Sequence, residues 1–222
     1  MTSTEKIKVV LIGETMTVKT SLIKRLIENK FEEESASTLV ATTVTKTFTY
    51  EEQQLTLDIW DTAGQEKFRS LNKVFYKSAI IIILVYNITE RYTFDQIVDY
   101  WYNEVKTRCI KNPIIAIVGN KSDLYSKEQV KEKEAKNFAQ SIGALFKLTS
   151  CLNNSNVKEL FEELGGVYLG LYSIKKLNGE EDDVSDEQRK EDARKRREQL
   201  LIESGGVVLN PEPKKEDKKG CC

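Results

Sequence analysis

The chain of 222 residues contains no histidine. Histidine-based catalytic triads and histidine-ligated metal centres are thereby excluded. Cysteine is scarce: Cys109, Cys151, Cys221 and Cys222 are too few and too unevenly spaced for a disulfide framework, which fits a reducing compartment. Neither sign of charge dominates, with 34 Lys and Arg against 35 Asp and Glu and a net charge of -1, so no nucleic-acid partner is expected. Met1 to Lys6 lacks the apolar core of a signal peptide, and Thr2 stands where myristoylation would need a glycine. The longest apolar run, Ala79 to Tyr86, is strand-length and too short to span a membrane. Internal repeats are also lacking. What is present is 40% hydrophobic, enough for one domain of roughly 150–200 residues with a sizeable core.

The most informative stretch is Gly13-Glu14-Thr15-Met16-Thr17-Val18-Lys19-Thr20. It follows the apolar run Ile7 to Ile12 and opens a helical pattern that continues through Ser21 to Ile27. A strand feeding a turn feeding a helix N-terminus is the setting of a phosphate cradle, because backbone N–H groups and the positive helix end face the anion. Gly13, Lys19 and Thr20 fit the pattern G-x-x-x-x-G-K-[ST], while Val18 stands at its second glycine.

Further along, Asn29 to Thr43 is polar and reads as a loop. Thr45 to Tyr50 and Leu55 to Asp61 alternate about a polar turn and read as an antiparallel hairpin. A short helix is expected at about Lys67 to Tyr76. Ala79 to Tyr86 and Ile114 to Gly119 are continuously apolar, as strands covered on both faces are. Thr93 to about Cys109 reads as a helix with Phe94, Ile97, Val98, Trp101 and Val105 inward. Lys127 to Ile142 reads as a helix, Leu145 to Thr149 as a last strand and Val157 to about Leu171 as a last helix. Strands alternating with helices imply an α/β fold, a mostly parallel sheet with helices on both faces, and the early hairpin adds one antiparallel edge strand. Ligands on such sheets sit at the C-terminal ends of the strands.

The composition shifts near Lys175, dividing residues 1–174 from a charged tail, 175–222. Ser185 with Gln188 resembles a capping box, and Asp186 to Glu203 reads as a solvated charged helix or a disordered arm; a partner-binding or membrane-facing segment is the alternative. Pro211 to Lys219 reads as flexible, and the sequence ends Gly220-Cys221-Cys222.

Two more motifs follow strands. In Asp61-Thr62-Ala63-Gly64-Gln65, the carboxylate can hold Mg²⁺ through water, Gly64 lets a backbone N–H approach a terminal phosphate, and Gln65 can orient an attacking water. An ordinary turn at a strand end is the plainer reading of the same residue types. In Asn120-Lys121-Ser122-Asp123, Asp123 can accept both N–H groups on one edge of guanine. Asn120 can bond the other edge and brace the phosphate loop, and Lys121 can lay its stem along the base.

Taken together, these motifs resemble a small GTPase of the Ras superfamily, most like its Rab branch, from about Glu5 to Leu171. Trp60 to Leu71 is the most Rab-like text, and Cys221-Cys222 is the paired-cysteine ending typical of Rabs. The resemblance implies the P-loop small GTPase fold with a six-stranded sheet, a switch between GDP and GTP forms, slow GTP hydrolysis with Gln65 and Lys19 as catalytic groups, and control of vesicle traffic. It implies nucleotide contacts along Gly13 to Ser21 and Mg²⁺ ligation by Thr20, Thr38 and Asp61. Thr38 matches the switch threonine, Phe31 the aromatic against the base, and Ser150 the serine of the last guanine motif, followed by Cys151 and Leu152. Geranylgeranyl groups on Cys221 and Cys222 would anchor the chain to the cytoplasmic face of intracellular membranes, with a cytosolic pool. Expected partners are effectors, exchange factors, GTPase-activating proteins and prenyl-escort or dissociation-inhibitor proteins, with the chain itself a monomer.

Several positions depart from the family. Val18 replaces a glycine, Met16 and Thr15 replace residues that are often small, and Leu39-Val40-Ala41-Thr42 differs from the usual switch text. Cys151-Leu152 replaces an alanine-lysine pair and so removes a cation that covers the base; Asn87 replaces a common Asp. Val18, Met16 and Leu152 motivate a second reading, a membrane-tethered protein-binding scaffold with weak or no nucleotide binding.

Overall fold

The computed structural model describes residues 4–31, 41–51, 53–62, 77–109 and 112–204. Six strands form one sheet: β1 (Thr4–Ile12), β2 (Thr42–Tyr50), β3 (Gln53–Asp61), β4 (Ile81–Asn87), β5 (Ile114–Asn120) and β6 (Leu145–Leu148). Their spatial order is β2-β3-β1-β4-β5-β6. Only the β2–β3 pair is antiparallel, so the sheet is the mostly parallel one with an antiparallel edge that the alternation of elements implies.

The two continuously apolar runs become β4 and β5, two of the four interior strands, and both their faces are covered. Along β4, Ile81, Ile83 and Val85 face one core, and Ile82, Leu84 and Tyr86 face the other. The first core lies under α1 (Lys19–Glu28) and α5 (Val157–Leu169), with Leu22, Leu26, Phe161 and Leu164 packed on the sheet. The second lies under the rod made of α2 (Arg91–Gln96), a π-helical turn at Ile97–Trp101 and α3 (Tyr102–Arg108), and under α4 (Glu132–Ser141). Period-two alternation in the strands thus assigns each side chain to a layer.

Some boundaries differ from the sequence reading. The helix expected from Thr93 to Cys109 is interrupted by the π-helical turn, which rotates the stripe so that Phe94, Ile97, Trp101 and Val105 all stay buried. The helix expected from Lys127 starts instead at Glu132. The N–H groups of Gln129 and Val130 are drawn to the Ile88 carbonyl, at 2.8 and 3.2 Å, which holds that stretch extended after a 3₁₀ segment at Ser122–Lys127. α5 closes at Gly170, in a left-handed conformation (φ 78°), with Leu171 N–H returning to the Gly166 carbonyl. The helix expected at about Lys67 to Tyr76 lies outside the described residues.

Beyond Lys175 come the short α6 (Ile174–Leu177) and the long α7 (Asp186–Ser204). Ser185 Oγ accepts from Gln188 N–H at 3.2 Å, the first half of the capping box. α7 is not solvated all round: Leu200 is 1% exposed and joins the first core, and Ala193 packs on the end of α5. A Cβ on Gly170 would lie 2.6 Å from the Ala193 Cβ, so a side chain there would lift the helix. Arg197 pairs with Glu5 at 2.8 Å, and Glu5 also accepts from the Tyr168 hydroxyl. Burying a leucine stabilises by about 1.5–3 kcal/mol, so Leu200 alone contributes much of the docking. No helix among the described residues is long and apolar enough to cross a membrane.

Candidate functional site

The phosphate loop, the guanine motif and the described start of the second motif, Asp61 and Thr62, meet at the C-terminal ends of β1, β5 and β3, where strands hand over to loops. The first loop leaves β1 at Gly13, whose added Cβ would stand 2.2 Å from the Val85 carbonyl oxygen. Only glycine lets the loop pass so close to β4. Thr17 Oγ1 donates to the Glu14 carbonyl at 2.8 Å and folds the loop on itself, with Thr15 half-buried and Met16 exposed at its tip. Val18 is the N-cap of α1 at φ 61°, ψ 39°, the left-handed region that a glycine would take without strain. A β-branched residue held there costs about 1–2 kcal/mol.

Lys19 is 5% exposed, and its Nζ donates to the carbonyls of Gly13 (2.9 Å) and Glu14 (3.1 Å). Burial lowers its pKa to about 8, opposed by the negative charges of Asp61 and Glu14. The Glu14 carboxylate in turn accepts from Trp101 Nε1 at 2.9 Å. Thr20 Oγ1 donates to Asp61 Oδ2 at 2.6 Å, bringing a hydroxyl and a carboxylate from two motifs together. Ser21 behind them is buried. Thr62 Oγ1 donates to the Leu11 carbonyl at 2.6 Å and ties the end of β3 to β1.

Asn120 is fully buried. Its Nδ2 donates to the Thr17 carbonyl at 3.2 Å, the brace on the phosphate loop that its position suggests, and its Oδ1 accepts from Thr149 Oγ1. Asp123 Oδ1 accepts from Ser150 Oγ at 2.5 Å, so the serine positions the carboxylate. Lys121 lies between them in a left-handed turn at φ 64°. Cys151 is buried against Asn120, and burial pushes its thiol up to about 11, so it is a packing group and not a nucleophile at neutral pH. Leu152 is exposed, and Phe31 packs against the first core.

Arg25 of α1 clamps the same loop: its Nε donates to the Cys151 carbonyl at 2.8 Å and its Nη2 to the Leu152 carbonyl at 3.1 Å. Its Nη1 reaches the carbonyl of Asn29, the left-handed C-cap of α1. Arg25, Trp101 and Thr149 were not legible as site residues. Trp101 carried the one usable signal, since a buried indole N–H needs an acceptor. Thr38, Gly64, Gln65, Cys221 and Cys222 lie outside the described residues.

The residues present fit a Mg²⁺-bound nucleotide. Lys19 offers a buried cation whose carbonyl partners a phosphate would replace, and the loop backbone wraps around it. Thr20 and Asp61 supply hard oxygen donors within 2.6 Å of each other, the donor type Mg²⁺ takes.

A sequence model of the Ras family matches residues 8–168. The chain is 37% identical over 175 residues to the Ras-related protein RABA4b of Arabidopsis thaliana, covering 79% of this chain and 78% of that one. It is 39% identical over 159 residues to the human Ras-related protein Rab-22A, covering 72% and 81%. Against the Ras-related protein Rab11A of Lotus japonicus the identity is 36% over 174 residues, covering 78% and 76%. With these motifs on this sheet, the chain belongs to the Ras superfamily of small GTPases, in its Rab family.

Proposed function

We propose that this chain is a guanine-nucleotide switch that binds GTP and GDP with Mg²⁺, hydrolyses GTP slowly and regulates vesicle traffic. The observation that supports it best is the bracing of the phosphate loop by the guanine motif: Asn120 holds Thr17, while Ser150 holds Asp123. One framework therefore spans both ends of a nucleotide.

In this reading the N–H groups from Gly13 to Thr20 and the Lys19 ammonium receive the outer phosphates, and Asp123 accepts the guanine N–H groups. Phe31 and the Lys121 stem flank the base. Thr20, Asp61 and Thr38 would hold Mg²⁺, which neutralises phosphate charge when bound. Gln65 orients the attacking water, and the Lys19 charge stabilises the phosphate oxygens as the bond to the leaving group lengthens. No arginine finger is evident in the sequence around the site, so unaided turnover is slow and a GTPase-activating protein raises it by about 10³–10⁵. Terminal-phosphate contacts order the segments around Thr38 and Gly64, and hydrolysis releases them to change which partners bind.

Cys221 and Cys222 take two geranylgeranyl chains, since one prenyl chain binds a membrane marginally and two bind stably. That places the chain on the cytoplasmic face of intracellular membranes, with a soluble pool carried by escort or dissociation-inhibitor proteins. Effectors and exchange factors complete the partner set.

Val18 motivates the scaffold alternative, but Val18 takes up the left-handed turn that a glycine would, and Lys19 stays inside the loop. The nucleotide reading is therefore the better supported. Its test is denaturing release and chromatography of nucleotide from freshly purified protein kept in Mg²⁺. Near-stoichiometric GDP or GTP is expected. An empty protein that also fails to take up added guanine nucleotide would reject it.

A further inference from the structure

At the opposite end of the sheet, where β5 and β6 begin, a groove of about 560 Å³ opens between α3, the α4–β6 turn and α7. Apolar side chains of Tyr102, Val105, Ile115 and Ile142 form about half of its lining, and polar groups form the rest. Its charged lining is of one sign: Lys106 from α3 and Arg196 from α7, with no carboxylate among the lining residues.

Arg196 is the unusual member. Nη2 donates to the carbonyls of Asn112 (2.9 Å) and Pro113 (3.1 Å), and Nε is sealed from solvent without a hydrogen-bond partner. Its neighbours on α7 are paired, Arg194 with Glu191 and Arg197 with Glu5. Among the described residues no carboxylate pairs with Arg196. Burial pushes its pKa down with no acid opposing the shift. A half-buried guanidinium held only by neutral carbonyls keeps its full charge uncompensated, and charge in such a setting is stabilised by an anion.

We propose that this groove binds a small organic anion, a carboxylate or phosphate ester carried on an apolar body. The guanidinium of Arg196 and the ammonium of Lys106 would face the anion, and the Tyr102, Val105, Ile115 and Ile142 walls would cover the body. The volume lies within the roughly 300–1,000 Å³ of small-molecule sites. One cation comes from α7 and the other from α3, so an anion that bridges them is bound only while α7 is docked. Ligand binding and tail docking are therefore linked, and each stabilises the other.

Phenyl phosphate is the probe, with benzyl alcohol as its neutral counterpart, added to the isotope-labelled full chain with GDP and Mg²⁺ in excess. Phenyl phosphate should shift the amide resonances of Val105, Lys106, Ile115 and Gly143 saturably and slow hydrogen exchange across 193–200. Arg196→Gln should weaken binding by at least about tenfold, a single charge-assisted hydrogen bond being worth about that much. Arg196→Gln can also loosen α7, so Lys106→Gln, which leaves α7 untouched, decides that case: it should weaken the same shifts several-fold. Equal binding of benzyl alcohol, or undiminished phenyl phosphate binding in Lys106→Gln, would overturn the proposal. So would undiminished binding in Arg196→Gln.

Discussion

Trp101 Nε1 donates to the Glu14 carboxylate at 2.9 Å, joining the π-helical turn of the α2–α3 rod to the phosphate loop 87 residues earlier. Both partners are buried. A hydrogen bond to a charged acceptor contributes about 1.5–3 kcal/mol, and more is lost when one partner is left behind. In a double-mutant cycle of Trp101→Phe and Glu14→Ala, read by urea unfolding, a coupling of about 1–3 kcal/mol is expected. Additivity within about 0.3 kcal/mol would mean the bond carries no weight.

Val18 sits at φ 61° as the N-cap of α1. Replacing it by glycine relieves strain of about 1–2 kcal/mol and returns part of it through the freer unfolded chain. Val18→Gly is expected to stabilise the protein by up to about 1 kcal/mol and to tighten nucleotide binding, whereas Val18→Ala, which keeps a Cβ, should give neither gain. Chemical denaturation of both variants decides: equal stability in glycine and alanine would show that the loop is not strained.

Arg25 links α1 to the loop at Cys151 and Leu152 through carbonyl contacts at 2.8 and 3.1 Å. Arg25→Met keeps the stem and removes the donors. Nucleotide dissociation should accelerate by about tenfold, equivalent to about 1.4 kcal/mol, with a smaller effect in Arg25→Lys because an ammonium lacks the fork geometry. Fluorescent GDP release measures it, and unchanged release in Arg25→Met would remove the clamp from nucleotide retention.

Lys19 has its folded pKa lowered by burial to about 8, against 10.5 for the free side chain. Between those values the unfolded chain binds the proton and the folded chain does not, so stability of the nucleotide-free protein rises with pH across that window. Below pH 8 the burial penalty is fully present. Phosphates favour the charged form, so nucleotide binding should take up a proton at about pH 8.5, and affinity should fall above pH 8 by up to about tenfold per unit. Calorimetry in buffers of different ionisation enthalpy reads the uptake, and none at that pH would contradict the assignment of Lys19 to the phosphates.

Gln65→Leu removes the group assigned to the attacking water and leaves the binding residues in place. Single-turnover hydrolysis should slow by at least about tenfold while nucleotide affinity stays within about twofold. Unchanged turnover would take Gln65 out of the mechanism.

Much of the architecture was readable from residue order. The short, β-branched apolar runs at Ile81–Tyr86 and Ile114–Val118 suit strands covered on both sides, and the alternation of Leu55, Leu57 and Ile59 suits a half-covered one. The binding motifs were readable because each lies within four to eight consecutive residues and follows a strand. What local sequence could not carry was every contact that closes through space. Periodicity marked Trp101 as core but not as the partner of Glu14, and Arg25 as a charged helical residue but not as a clamp on Cys151. α7 offers the sharpest case. With few apolar residues and many charges, its composition resembles that of a solvated helix, yet Leu200 and Ala193 find a surface shaped to take them. The sequence by itself determined which segments became strands and helices and which loops hold phosphate-binding and guanine-binding chemistry, since those follow from side-chain period and local backbone. Only the tertiary structure decided which distant groups brace those loops and where the charged tail rests, because hydrogen bonds and shape complementarity between remote segments exist only once the sheet has assembled.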